Sequence, residues 1–111
     1  MKMDVVSQEN GITKVVLAGS MDIKGALEIG PLFKEISQMK DKVIVDLANV
    51  SFLASLGMRT LVMSAKSLRE KGGQLVLVNP QAEVEKALRS AGLDHIIPLA
   101  PDLAAAAALF R

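Results

Sequence analysis

Ser55 is the residue whose surroundings offer the clearest chemistry in this sequence. It stands in the run Asp46-Leu47-Ala48-Asn49-Val50-Ser51-Phe52-Leu53-Ala54-Ser55-Leu56-Gly57-Met58-Arg59, where an apolar, strand-like segment gives way to helical periodicity. A serine at a helix start can act as an N-cap, its hydroxyl accepting from a backbone N–H of the first turn. The same place suits a phosphate, because the free N–H groups and the positive end of the helix dipole stabilise added negative charge. Phosphorylation there would leave the fold standing. It would act on a partner docked over the helix start, through like-charge repulsion and the desolvation of a group carrying about −1.5 to −2 charges.

Other chemistry has little to stand on. The chain has no cysteine, which removes disulfides, thiolate metal sites and cysteine nucleophiles, and a single histidine, His95, which cannot hold a metal without carboxylate help. Gly57, Gly72 and Gly73 form no nucleotide fingerprint, and no nucleophile elbow is present. Neither a catalytic set, a metal nor a cofactor is therefore expected. With 111 residues, a formal net charge of +1 and only three aromatic residues, the composition is that of one globular domain, taken as residues 1–111, without the basic field that nucleic acid demands. Met1 to Asn10 carries Asp4 and Glu9 and no signal-like apolar run, and Leu103 to Phe110 is about half the length of a membrane span. A cytoplasmic protein without direct membrane insertion is the expectation.

The elements that must position Ser55 follow from periodicity. Lys42 to Leu47 (KVIVDL) and Gln74 to Val78 (QLVLV) are short, nearly continuous apolar runs of the kind found in strands covered on both faces. Between them, Ser55 to Lys71 sets Met58, Leu61, Val62, Ala65 and Leu68 at helical spacing, which gives a βαβ unit. Upstream, Met3 to Val6 and Ile12 to Gly19 read as a hairpin around the turn pair Asn10-Gly11. Ile23 to Met39 carries a helical stripe interrupted by Gly30-Pro31, so the helix is expected to start near Pro31 or to kink there. Downstream, Pro80 to Ser90 reads as a helix stopped by Gly92, His95-Ile96-Ile97 as an edge strand, and Asp102 as the cap of a last helix through the alanine run. The fold class is α/β, with a mixed sheet of four or five strands and about four helices packed mainly on one face.

The segment from Val43 to Arg59 resembles the signature of STAS-domain anti-sigma factor antagonists. Those proteins end a buried strand with Asp or Asn, continue through Val-x-[Phe/Tyr]-[Ile/Leu/Met], and reach [Asp/Ser/Ala]-Ser-x-Gly; Asp46, Val50, Phe52, Leu53, Ala54, Ser55 and Gly57 match without a gap. Leu17-Ala18-Gly19-Ser20-Met21-Asp22 is similar to the family's Leu-x-Gly-x-Leu-Asp, and the order of elements extends the resemblance over essentially the whole chain. The resemblance implies a non-enzymatic switch. The unphosphorylated antagonist binds and sequesters an anti-sigma factor serine kinase with a GHKL-type ATPase fold, phosphorylation of Ser55 releases that kinase, and a PP2C-type serine phosphatase resets the cycle. Asp22 is then expected near the phosphoacceptor, either orienting kinase-bound phosphates or capping a helix. Ala54 stands where many antagonists carry an acid.

Around that serine, a rotation of 100° per residue places Leu56 and Met63 opposite the core stripe of their helix, so both are expected to be exposed. With Asp22, Ala54, Ser55, Gly57 and Arg59 they form the expected partner-binding surface. A constitutive scaffold subunit of a membrane lipid-transport ATPase is the alternative use of the same fold, and it predicts one stable partner whether or not Ser55 is modified.

Overall fold

A computed structural model describes residues 1–110. Its first elements are the strands β1 (Lys2–Ser7) and β2 (Ile12–Met21), an antiparallel pair joined through a 3-10 turn over Glu9–Gly11. Asn10 and Gly11 take φ of 62° and 74° in that turn, a left-handed geometry that asparagine tolerates and glycine adopts freely. The chain continues through α1 (Ile23–Met39), β3 (Lys42–Leu53), α2 (Ser55–Glu70), β4 (Gln74–Val78), α3 (Ala82–Ser90), β5 (Leu99–Ala100) and α4 (Leu103–Ala108).

The strands lie in the sheet in chain order, β1-β2-β3-β4-β5, with β1 antiparallel to β2 and every later neighbour parallel. Each crossover therefore advances the same way across the sheet, which places its helices on one face. Val43, Val45, Leu47, Leu75 and Leu77 point to that face and share a core with Ala26, Ile29 and Phe33 of α1, Leu61, Ala65 and Leu68 of α2, and Val84 and Leu88 of α3. Their sequence neighbours Ile44, Val76 and Val78 turn the other way, as the two-residue period of a strand requires, and meet Ala106 of α4. This is the mixed, mainly one-sided α/β architecture expected from the sequence. A steadily advancing strand order has no point at which it reverses, and so lacks the crevice in which open α/β sheets hold nucleotides.

Three boundaries depart from expectation. The segment around Gly30-Pro31 is one helix from Ile23 onward, neither restarted nor broken at Pro31. Proline costs the Leu27 carbonyl its helical donor, but Leu27 and Pro31 are both on the exposed side, where water serves instead. Strand β3 runs past Leu47 to Leu53, because irregularities in register at Val16/Ala18 and Gly19/Ser20 let Asn49, Val50, Phe52 and Leu53 stay paired with β2. The edge strand is Leu99–Ala100 and not His95-Ile96-Ile97: Leu93–His95 form a 3-10 turn, Ile97 is buried in the core, and the Leu77 N–H donates to the Pro98 carbonyl at 2.9 Å.

Candidate functional site

The parallel ladder between β2 and β3 ends on the pair Met21 and Leu53, and the Ala54 N–H donates to the Met21 carbonyl at 2.9 Å. Adjacent strands thus release the chain side by side, and α1 and α2 begin next to each other at the same end of the sheet. Asp22 leaves β2 as the N-cap of α1: its carboxylate Oδ1 accepts from the Gly25 N–H at 2.8 Å. Gly25 carries no side chain because a Cβ there would run into the Ser20 carbonyl. Of the two roles open to Asp22, capping is the one the structure shows.

Ser55 is the first residue of α2 and not its N-cap. The cap position belongs to Ala54, whose backbone is extended and whose methyl group bonds nothing; its carbonyl accepts from the Met58 N–H at 3.0 Å. The expectation that the Ser55 hydroxyl caps the helix is therefore corrected by one position. Ser55 is exposed, and the first turn of α2 receives no side-chain oxygen from its cap residue. Gly57 sets the height of this turn. A Cβ on it would stand 2.8 Å from Met21 Cγ and Sδ and 3.0 Å from Leu53 Cδ1, so the absence of a side chain lets α2 rest directly on the end of β2 and β3.

No group of three or more His, Cys, Asp or Glu among the described residues is placed to hold a metal, and no histidine or cysteine stands in the Ser55 turn. What the arrangement offers is an accessible hydroxyl at a helix start. The model of the STAS domain matches residues 5–106.

The chain belongs to the STAS domain family.

This STAS domain is similar to a Bordetella bronchiseptica protein named as an anti-sigma factor antagonist, BtrV, with 28% identity over 103 residues, 92% of this chain and 89% of that protein. Its fold is similar to that of a Thermotoga maritima protein described as an anti-sigma factor antagonist, with a TM-score of 0.89 at 22% identity over 98% of this chain and 94% of that one. It is also similar to the phosphorylated form of the Bacillus cell fate determinant SpoIIAA, with a TM-score of 0.73 at 17% identity over 97% of this chain and 99% of that one.

Around Ser55 the STAS domain presents apolar side chains to solvent. Met63 is 57% exposed, as its helical phase requires, whereas Leu56 is half-buried and leans on the core, which corrects the expectation that both stand free. Leu56 stands in the first turn of α2, where the helix start meets the core, whereas Met63 lies two turns further along. Arg59 is exposed one turn beyond Ser55 and forms no ion pair among the described residues. Three further apolar residues stand exposed here, and one of them corrects a reading of the sequence, since Leu27, like Leu32, belongs to the apolar stripe that spacing suggests for α1 together with Ile29, Phe33 and Ile36. Ile23 and Leu27 are each 65% exposed on the first turns of α1, and Phe52 is 53% exposed just before the junction. The mean phase of Ile23 and Leu27, about a third of a turn from that of buried Ile29 and Phe33, is the signal that would have found them.

Proposed function

We propose that this STAS domain is an anti-sigma factor antagonist that works by partner switching. In the unphosphorylated state it binds and sequesters an anti-sigma factor serine kinase of the GHKL ATPase type. The kinase transfers the γ-phosphoryl group of ATP to the Ser55 oxygen; the bond to ADP breaks and the hydroxyl proton passes to a base of the kinase. The phosphorylated domain lets go, and a PP2C-type phosphatase restores the hydroxyl by hydrolysis. The domain itself supplies an acceptor and a surface, works in the cytoplasm, and catalyses nothing.

The observation that carries this reading is the state of Ser55: exposed, at the first position of a helix whose cap residue is alanine. Its hydroxyl is not spent on holding the helix. A phosphate placed there meets first-turn N–H groups and the positive helix end, so the modification is tolerated by the fold. The penalty falls on the complex, where a doubly charged group would have to be desolvated among Ile23, Leu27, Phe52 and Met63.

Affinity co-purification from the native lysate tests it, with wild type, Ser55→Ala and Ser55→Asp as baits. Retention of a kinase-like ATPase by the first two and its loss by the third is the expected pattern. Retention of the same transporter subunits by all three replaces the switch with the constitutive scaffold.

A further inference from the structure

Strand β1 stands at the edge of the sheet with β2 as its only neighbour, so the backbone groups along its outer side have no strand to pair with. The opposite edge is the two-residue β5, too short to offer a ladder. The six residues of β1, all exposed except half-buried Met3, are therefore the long open edge of the described residues. The register with β2 fixes what each face of that edge carries. Met3 and Val5 stand opposite Leu17 and Val15 and share the face that the helices cover, whereas Lys2 and Asp4 stand opposite Ala18 and Val16 on the reverse face.

Val5 is 51% exposed although it lies on the covered face. The side of α1 turned toward this edge is marked by Glu28, whose carboxylate is 3.3 Å from the Met1 nitrogen. Leu32 and Ile36 follow one and two turns further along that side, away from Gly30 and Lys34, which face α2. Leu32 is 46% exposed, so it and Val5 belong to one flank of the domain, the flank that ends in the open strand.

The residues of this edge are complementary to themselves. Two identical strands pair antiparallel about a two-fold axis normal to the sheet, which keeps like faces together and sets one residue opposite its own copy on the axis. With Met3 on the axis, Lys2 of each copy faces Asp4 of the other on the reverse face, and Met1 faces Val5 on the covered face. Placing Lys2 or Asp4 on the axis sets like charges against each other, and placing Val5 or Val6 there leaves both charges without a complement. Neither Lys2 nor Asp4 forms an ion pair among the described residues, and a formal net charge of +1 leaves little repulsion between two copies. We infer that this domain forms a homodimer in which the β1 strands of two copies pair antiparallel about Met3, joining two five-stranded sheets into one. Because α2 lies on the other side of α1, both Ser55 surfaces stay open in the dimer, and the inference does not depend on the partner-switching reading.

Sedimentation velocity of the purified domain from about 10 μM to about 1 mM tests it, since a single edge ladder is a small interface that associates weakly. A monomer–dimer equilibrium is expected for wild type. Lys2→Asp and Asp4→Lys each turn both cross-strand pairs into like charges and should weaken association at least about 10-fold, with the circular dichroism spectrum unchanged because both side chains are exposed. An equimolar mixture of the two variants restores opposite charges at both pairs, and it should associate as wild type does. That recovery is specific to the Met3 register and requires both variants to be folded. A wild type that stays monomeric at about 1 mM overturns the inference. So does a dimer that either single variant leaves intact, and so does a mixture that fails to recover.

Discussion

Met21 occupies the space that a side chain at residue 57 would need, with its Cγ and Sδ each 2.8 Å from the position of a Cβ on Gly57. Met21 is fully buried at the end of β2, so the start of α2 is seated on a side chain that cannot swing into solvent. Gly57→Ala should therefore destabilise the domain by about 1–3 kcal/mol through overpacking. Met21→Ala alone opens a cavity and should cost about 2–5 kcal/mol. In a double-mutant cycle by urea unfolding, the alanine at 57 should cost less when Met21 is already truncated, because the clash is gone. Additive costs would mean that Met21 is not what excludes a side chain there.

The two helix starts beside each other are capped differently, and their alanine variants should show it. Asp22→Ala removes an oxygen that accepts from the Gly25 N–H and should cost about 1 kcal/mol. Ser55→Ala removes an exposed hydroxyl that caps nothing, and thermal unfolding should place it within about 0.5 kcal/mol of wild type. A loss at Ser55→Ala as large as that at Asp22→Ala would show that the serine hydroxyl holds the helix after all.

Ala54 leaves room for improvement at the cap. Ala54→Ser supplies the missing oxygen to the first turn and should raise stability by about 1 kcal/mol in denaturant unfolding. An unchanged or lowered midpoint would contradict the cap assignment.

Phe52 and Met63 carry little of the fold, since both are more than half exposed. Phe52→Ser and Met63→Ser should change stability by no more than about 0.5–1 kcal/mol and still reduce retention of the kinase in co-purification. Full retention by both would remove the apolar surface around Ser55 from the binding site.

Much of this arrangement was legible from the residues, and the exceptions have physical causes. The apolar runs Lys42–Leu47 and Gln74–Val78 read as strands covered on two faces, and they are. The stripe Leu61, Ala65 and Leu68 fixed the buried side of α2. Local rules failed where tertiary pairing took over. Ala48, Asn49 and Ser51 look like loop residues, yet the shifted register with β2 keeps β3 extended to Leu53, and this moves the cap from Ser55 to Ala54. Pro31 reads as a helix breaker, but the Asp22 cap starts α1 before it and Pro31 sits on the exposed side. Leu56 was placed by rotation alone, which carries no knowledge of the core that the start of α2 meets.

The central claim is that a phosphate on Ser55 breaks the partner complex. The most direct measurement incorporates phosphoserine at position 55 and compares its affinity with that of the unmodified domain, by titration calorimetry against the ATPase co-purified with wild type. A loss of about 100-fold, equivalent to roughly 2.7 kcal/mol, is the predicted result. Equal affinity of the two forms, or the absence of any such ATPase from the wild-type complex, would contradict the account.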